Sequence, residues 1–537
     1  MTWTFEGFKA SFFNEYDQLH PIEASALGLS DYDRFSQELT PEYMQAAAAF
    51  YAGRSQELEK HYYALHAVQE RFEADIILWQ LRYHYFLLRD EQAHTYNPFY
   101  YDFYLDYSKF LTLSQCAPPE DYIPGLIARL SAYPQVAQCM QNQLHAAAAP
   151  LGVFLSVLKG YHGSITADVA PLQQGLAPDQ AHAFATARHK ALHALSAMID
   201  FVEDRLAAAD TLPGYALGRQ RLQKLLYFME GKDENLDHLL TRGERELARV
   251  AARGEVLAKE LNPGFSFYDA LDHLAEQQPP VDGVLQRIQD LLGEVAGFIR
   301  RHHLVALDDL SDLSVEAMPP YWQWAAAMMN TPGPLETRSL PSHFYVTLPA
   351  ADWDAQQVAR YMKGFSNALL ENLVIHEALP GHYLHYVYQS RLENMVARRT
   401  YGYGFTEGWA HYCEEMMVAE GFGRTPHAEL AKLREQALRL VRLITAIKLH
   451  TNRFSLTDAQ EMFAGHCYLD TESAKAEAMR GTFDPAYLLY TYGKWCIQDL
   501  RAGKGAHMAP QQLHEALLSL GAPPLGLLEK YFAQIRF

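Results

Sequence analysis

Cysteine is scarce and unpatterned. Cys116, Cys139, Cys413, Cys467 and Cys496 are odd in number and scattered, with none of the paired spacings of a disulfide framework or a thiolate metal site. They read as reduced thiols and point to a cytoplasmic protein. Long apolar runs are also missing: no stretch of about eighteen apolar residues occurs, so no membrane span is expected. Met1 through Lys9 have neither the basic start nor the apolar core of a secretory leader. Positive charge is in deficit, with 45 Lys and Arg against 64 Asp and Glu and a formal charge of −19. That balance argues against nucleic acid and anionic membranes as partners, because both select basic surfaces. Internal repeats and low-complexity segments are absent too.

What remains is a globular, helix-forming chain. Its 537 residues exceed one compact core, and 49% hydrophobic with 20% charged residues is a folded composition. Amphipathic helical patterns run through residues 41–90 and 179–209, and Pro213-Gly214, Pro279-Pro280 and Pro319-Pro320 punctuate the middle. The clearest strand is His343 to Leu348, aromatic and β-branched between Pro341 and Pro349. Helices are expected over 352–379 and 404–421. The fold class is therefore mainly α with a small β element near 343–348.

The most informative stretch is His376-Glu377-Ala378-Leu379-Pro380-Gly381-His382. It is the zinc-hydrolase signature His-Glu-x-x-His, in which two histidines bind the metal and the glutamate acts as base, with two residues inserted. Six residues at about 100° each leave the imidazoles roughly 120° apart on a regular helix. Proline breaks the helical ladder and glycine accepts the distorted dihedrals that follow, so a bulge at Pro380-Gly381 within a kinked, buried helix would return His382 to the face of His376.

A hydrolytic zinc site needs three protein ligands, an open position, and a carboxylate to take a proton from water. His376 and His382 supply two ligands and Glu377 the base. The next helical segment opens Phe405-Thr406-Glu407-Gly408-Trp409 and continues to Glu414. Glu407 and Glu414 are seven apart, two turns along one face amid aromatic residues. Glu407 is expected as third ligand and Glu414 as the carboxylate orienting a ligating imidazole.

These motifs, with Tyr490-Thr491-Tyr492-Gly493 and Arg501 further on, resemble the bacterial family catalogued as domain of unknown function 885 (DUF885). Ala26-Leu27-Gly28-Leu29 and Pro213 through Gly218 also look like the family's, so the resemblance spans most of the chain. More distantly, His376-Glu377-x-x-His382-x-x-His385 followed by Glu407 looks like the thimet-oligopeptidase group once Pro380-Gly381 is set aside. That similarity implies a two-lobed helical zinc-peptidase ("pita-bread") fold with a deep central channel, as one peptidase unit over 1–537. Approximate lobes are 1–270 and a metal-binding, catalytic 271–537. Tyr490 matches the family's tyrosine and is the first choice for oxyanion donor. Two departures stand out. His385 replaces the usual glutamine and adds a nitrogen near the metal, and Ala446 and Lys448 stand where the family carries aspartate and glycine.

Substrate contacts are expected from Tyr487 and Tyr492 near Tyr490, from His450 (or His466), and from Tyr345 if its strand lines the cleft and pairs with an extended peptide. A terminal carboxylate would call for an arginine fork, for which Arg501, Arg480, Arg442, Arg398 and Arg399 are candidates. The expected protein binds one Zn²⁺ per chain and hydrolyses short peptides as an oligopeptidase, carboxypeptidase or dipeptidyl carboxypeptidase, with homodimerisation left open. A metal-dependent amidase or esterase on a small molecule, and a non-catalytic binding protein on a peptidase scaffold, are the alternatives.

Overall fold

A computed structural model describes residues 3–307, 310, 312–423 and 425–535. Helix accounts for 72% and strand for 3%, so the chain is mainly α with a small sheet. It divides into two compact units. One comprises Met1–Tyr215, Pro319–Trp324 and Pro332–Pro341, and the other Ala216–Met318, Ala325–Thr331 and Ser342–Phe537. The lobe boundary expected at 270 falls inside the helix Phe267–Ala275 of the second unit, where a division would cut a continuous hydrogen-bonded ladder.

In the first unit, local sequence sets the helix starts. Thr4 caps Phe5–Leu19, and Thr40 caps Pro41–His61, with proline at the first helical position where its missing N–H is not needed. Phe5, Phe8, Phe12 and Tyr16 recur at helical spacing and are all buried. The short segment Pro319–Trp324 joins this unit through Tyr321, whose ring stacks on Tyr161 at 4.7 Å.

The second unit holds the sheet: β1 (Leu313–Ala317), β2 (Ala327–Asn330) and β3 (Ser342–Val346). The order is β1-β3-β2, with β3 parallel to β1 and antiparallel to β2. The strand expected at 343–348 is thus central and paired on both sides. It offers no edge to a peptide, which overturns both the edge-strand reading and strand addition there.

Five helices shape the region of the motif: α1 (Asn367–Glu377), α2 (His382–Ser390), α3 (Tyr403–Glu420), α4 (Pro426–His450) and α5 (Leu489–Ala502). The single helix expected over 352–379 is interrupted. Ala355–Met362 gives way to a 3-10 turn at Lys363–Phe365, and Ser366 then caps α1, its hydroxyl accepting from the Leu369 N–H. The motif also differs from a bulge in a continuous helix. The ladder stops at Glu377 and restarts at His382, so the two histidines lie on separate helices.

α4 runs through the core, with Leu440, Val441, Leu443, Ile444, Ala446 and Ile447 fully buried. α3 and α5 cross at contact distance because both carry glycine there. A Cβ on Gly493 would stand 1.9 Å from the Gly404 carbonyl oxygen, and one on Gly408 would stand 2.5 Å from the Gly493 backbone. At Gly493 the obstacle is backbone and cannot rotate away. Gly493→Ala is therefore expected to destabilise the protein by about 1–3 kcal/mol, read as a lower urea midpoint; an unchanged midpoint would show that the crossing tolerates separation.

Candidate functional site

The break between α1 and α2 is fixed from two sides. A Cβ on Gly381 would meet the His376 carbonyl oxygen at 1.8 Å and that of Ile375 at 2.4 Å, so only glycine lets the chain fold back this tightly. The Trp409 indole of α3 donates to the Pro380 carbonyl at 2.9 Å. The turn brings the His376 and His382 rings to 4.9 Å, edge to face.

Glu407, in the second turn of α3, completes the group. Its Oε2 lies 3.6 Å from His376 Nε2 and 3.4 Å from His382 Nε2. Ligand atoms of these three residues all fall within 4.8 Å of one another, and no other group of this kind occurs among the described residues. Two atoms bound to a tetrahedral zinc at about 2.0–2.2 Å stand roughly 3.3–3.5 Å apart, so the spacing to Glu407 suits such an ion. Glu407 Oε2 and His382 Nδ1 are buried, and neither has a hydrogen-bond partner among the described residues. An orphaned carboxylate oxygen between two imidazoles is a costly arrangement without a cation.

Behind the ligands, His376 Nδ1 meets Glu414 Oε1 at 2.7 Å, which commits Nε2 to the cluster. Glu414 is neutralised by Arg439, whose Nη2 is 3.3 Å away, and Arg439 is paired in turn with Glu435. His411 Nδ1 stands 3.4 Å from the other Glu414 oxygen. Burial alone would raise the Glu414 carboxyl, but Arg439 and His411 hold it well below the ordinary range. Glu407 is likewise held low against burial by His382 and His376. Burial opposes protonation of His376, yet the facing Glu407 carboxylate and the Glu414 carboxylate bonded to Nδ1 bring it up to about 9.

Glu377 ends α1 beside His376. It is 8% exposed, and its carboxylate accepts no hydrogen bond from a described residue. The Tyr490 ring lies parallel to His376 at 6.1 Å. Burial raises the Tyr490 hydroxyl, with Arg480 and Arg442 drawing it partly back, so it remains a donor at neutral pH.

Other sequence candidates are engaged by partners of their own. His385 is fully buried against Tyr386 and Phe405 and stands outside the ligand group; burial and the neighbouring His382 push it down to about 3. Tyr487 is buried and bonded to Thr445 at 2.8 Å. Tyr492 donates to Glu234. His450 bridges the Gly481 carbonyl and the Leu217 N–H as a buried brace. Arg501 is spent on Tyr412 and Glu420, Arg442 is bidentate to Glu477, and Tyr345 stacks on His343 within the sheet. At the two departures in α4, Ala446 is core and Lys448 pairs with Glu244.

The residues that sequence reasoning missed are Arg439, Trp409 as an anchor, and Gly381 as a close approach. Arg439 has no motif spacing to Glu414. Removing the carboxylate behind His376 in Glu414→Gln is expected to weaken metal affinity about 10–100-fold in a chelator competition, whereas His385→Ala leaves that affinity unchanged. The reverse pattern would exchange their roles.

Two solved structures, each described as a putative lipoprotein, share the fold. One, of unknown function from Shewanella oneidensis, has 18% identity and a TM-score of 0.80 over 98% of this chain and 99% of its own. The other, from Colwellia psychrerythraea, has 16% identity and a TM-score of 0.80 over 99% and 98%. None of the curated proteins matches the sequence. The family model described as "Bacterial protein of unknown function (DUF885)" matches residues 21–531, and the chain belongs to that family.

Proposed function

We propose that this protein is a zinc-dependent metallopeptidase that hydrolyses short peptides. The observation that carries the reading is the convergence of His376, His382 and Glu407, with ligand atoms within 4.8 Å of one another. Two imidazoles and one carboxylate are the donor set of a hydrolytic zinc site rather than of a closed structural one. When bound there, Zn²⁺ supplies Lewis acidity toward a carbonyl and lowers the pKa of water.

The chain's own residues do the remainder. Glu377 takes a proton from the attacking water and returns it to the leaving amine. Tyr490 donates to the oxygen that becomes negative in the tetrahedral intermediate. Glu414, steadied by Arg439, keeps His376 in the tautomer and orientation that present Nε2. Among the described residues no helix is long and apolar enough to cross a membrane. All five cysteines are free thiols, which supports the cytoplasm as the proposed location.

The test uses the zinc-loaded full chain and unblocked oligopeptides, with products identified by mass spectrometry. Glu377→Ala is expected to retain zinc while hydrolysis falls by about 10²–10⁴-fold. Loss of zinc from that variant would make Glu377 a ligand and overturn the assignment. Turnover of small amides or esters with none of peptides would move the substrate class to the amidase reading.

A further inference from the structure

Arg480, the last residue of the helix Thr471–Arg480, looks at first like the cation for a substrate carboxylate. Its partners say otherwise. Its Nε and Nη2 donate to Asp484 Oδ2 at 3.0 and 2.9 Å, while the Asp484 N–H returns to the Arg480 carbonyl at 2.9 Å. The pair therefore closes on itself within one turn of chain. The same Nη2 lies 3.3 Å from the Tyr403 hydroxyl and 3.2 Å from that of Tyr490. Tyr403 directs its own proton to Asp484 Oδ2 at 3.3 Å.

Proton direction follows from the chemistry of the groups. A guanidinium has only donors, so Tyr490 can meet Arg480 only through its oxygen. Its own hydrogen must then point elsewhere, and no described residue accepts it. The ring is confined as well, parallel to His376 at 6.1 Å, with the Arg442 guanidinium 5.0 Å from its centroid. A phenol fixed at the ring and pinned at the oxygen by a cation is a one-way donor, preorganised for a negative oxygen beside the ligand cluster.

We propose that Arg480 is a positioning residue: clamped by Asp484 and Tyr403, it fixes the Tyr490 hydroxyl so that its proton faces the substrate oxygen. This deepens the peptidase reading and rests on it for the identity of the acceptor. It also removes Arg480 from the carboxylate-binding candidates, since its charge is met by Asp484.

A double-mutant cycle on zinc-loaded protein tests it with a short peptide. Tyr490→Phe is expected to lower kcat about a hundredfold. Arg480→Gln should lower kcat at least tenfold with KM changed less than about threefold, and Arg480→Lys should recover part of the loss. The double variant should be no slower than Tyr490→Phe alone, because both remove the same interaction. Losses that multiply in the double variant would overturn the proposal. Absence of peptide turnover in the unaltered protein would instead overturn the peptidase reading. The positioning claim is read separately, by ¹⁹F NMR of 3-fluorotyrosine placed at position 490. Arg480→Gln, and Asp484→Asn as the milder variant should the first fold poorly, are expected to displace or broaden that resonance with or without zinc. A resonance unmoved in a folded variant would overturn the proposal whatever the activity.

Discussion

Two imidazoles can face one point here only because the chain turns back on itself between Glu377 and His382. The turn is held by a steric requirement and a hydrogen bond: the Gly381 backbone lies against the Ile375 and His376 carbonyls where no Cβ fits, and Trp409 grips the Pro380 carbonyl. Because Trp409 belongs to the helix that carries Glu407 and Glu414, one contact fixes Glu407 relative to His376 and His382. The glycine-lined crossing of α3 and α5 then brings Tyr490 within stacking distance of His376. His376, His382, Glu407, Glu414 and Tyr490 are thus set by backbone approaches that larger residues would forbid and by one indole hydrogen bond.

The electrostatics follow the same economy. Burying carboxylates is costly unless each meets a cation or a donor. Glu414 meets Arg439 and His376, Glu477 meets Arg442, and Asp484 meets Arg480. Glu407 differs from these three, with an oxygen that faces only two imidazoles. A dication at that point would complete the balance. The arginines around the phenol are each engaged by a carboxylate, so they read as scaffolding for Tyr490 more than as a binding surface.

Much of the site was legible in the sequence because its signals are local. His-Glu and the second histidine sit within seven residues, and the seven-residue spacing of Glu407 and Glu414 is two turns of one helix, which puts one at the ligand cluster and the other behind His376. The mainly helical fold with its strand near 343 was legible for the same reason. What failed was long-range. Whether β3 is central depends on β1 and β2, which are too short, at five and four residues, to announce themselves in the sequence. Tyr487, Tyr492, His450 and Arg501 were drawn toward the site by chain proximity to Tyr490 or α4, yet each is bonded to a partner that the sequence does not mark. Arg439 and Glu414 meet across two helices with no shared motif, and the first unit takes in segments 319–324 and 332–341 from far along the chain, an association that no local signal marks.

The central claim is that α1, α2 and α3 together bind one zinc through two imidazoles and a carboxylate. X-ray absorption at the zinc edge of the loaded protein tests it most directly. The account predicts one zinc per chain, two imidazole nitrogens at about 2.0–2.1 Å and oxygen ligands at about 2.0–2.2 Å, with no sulfur. A third imidazole, a sulfur shell, or no stoichiometric zinc would contradict it.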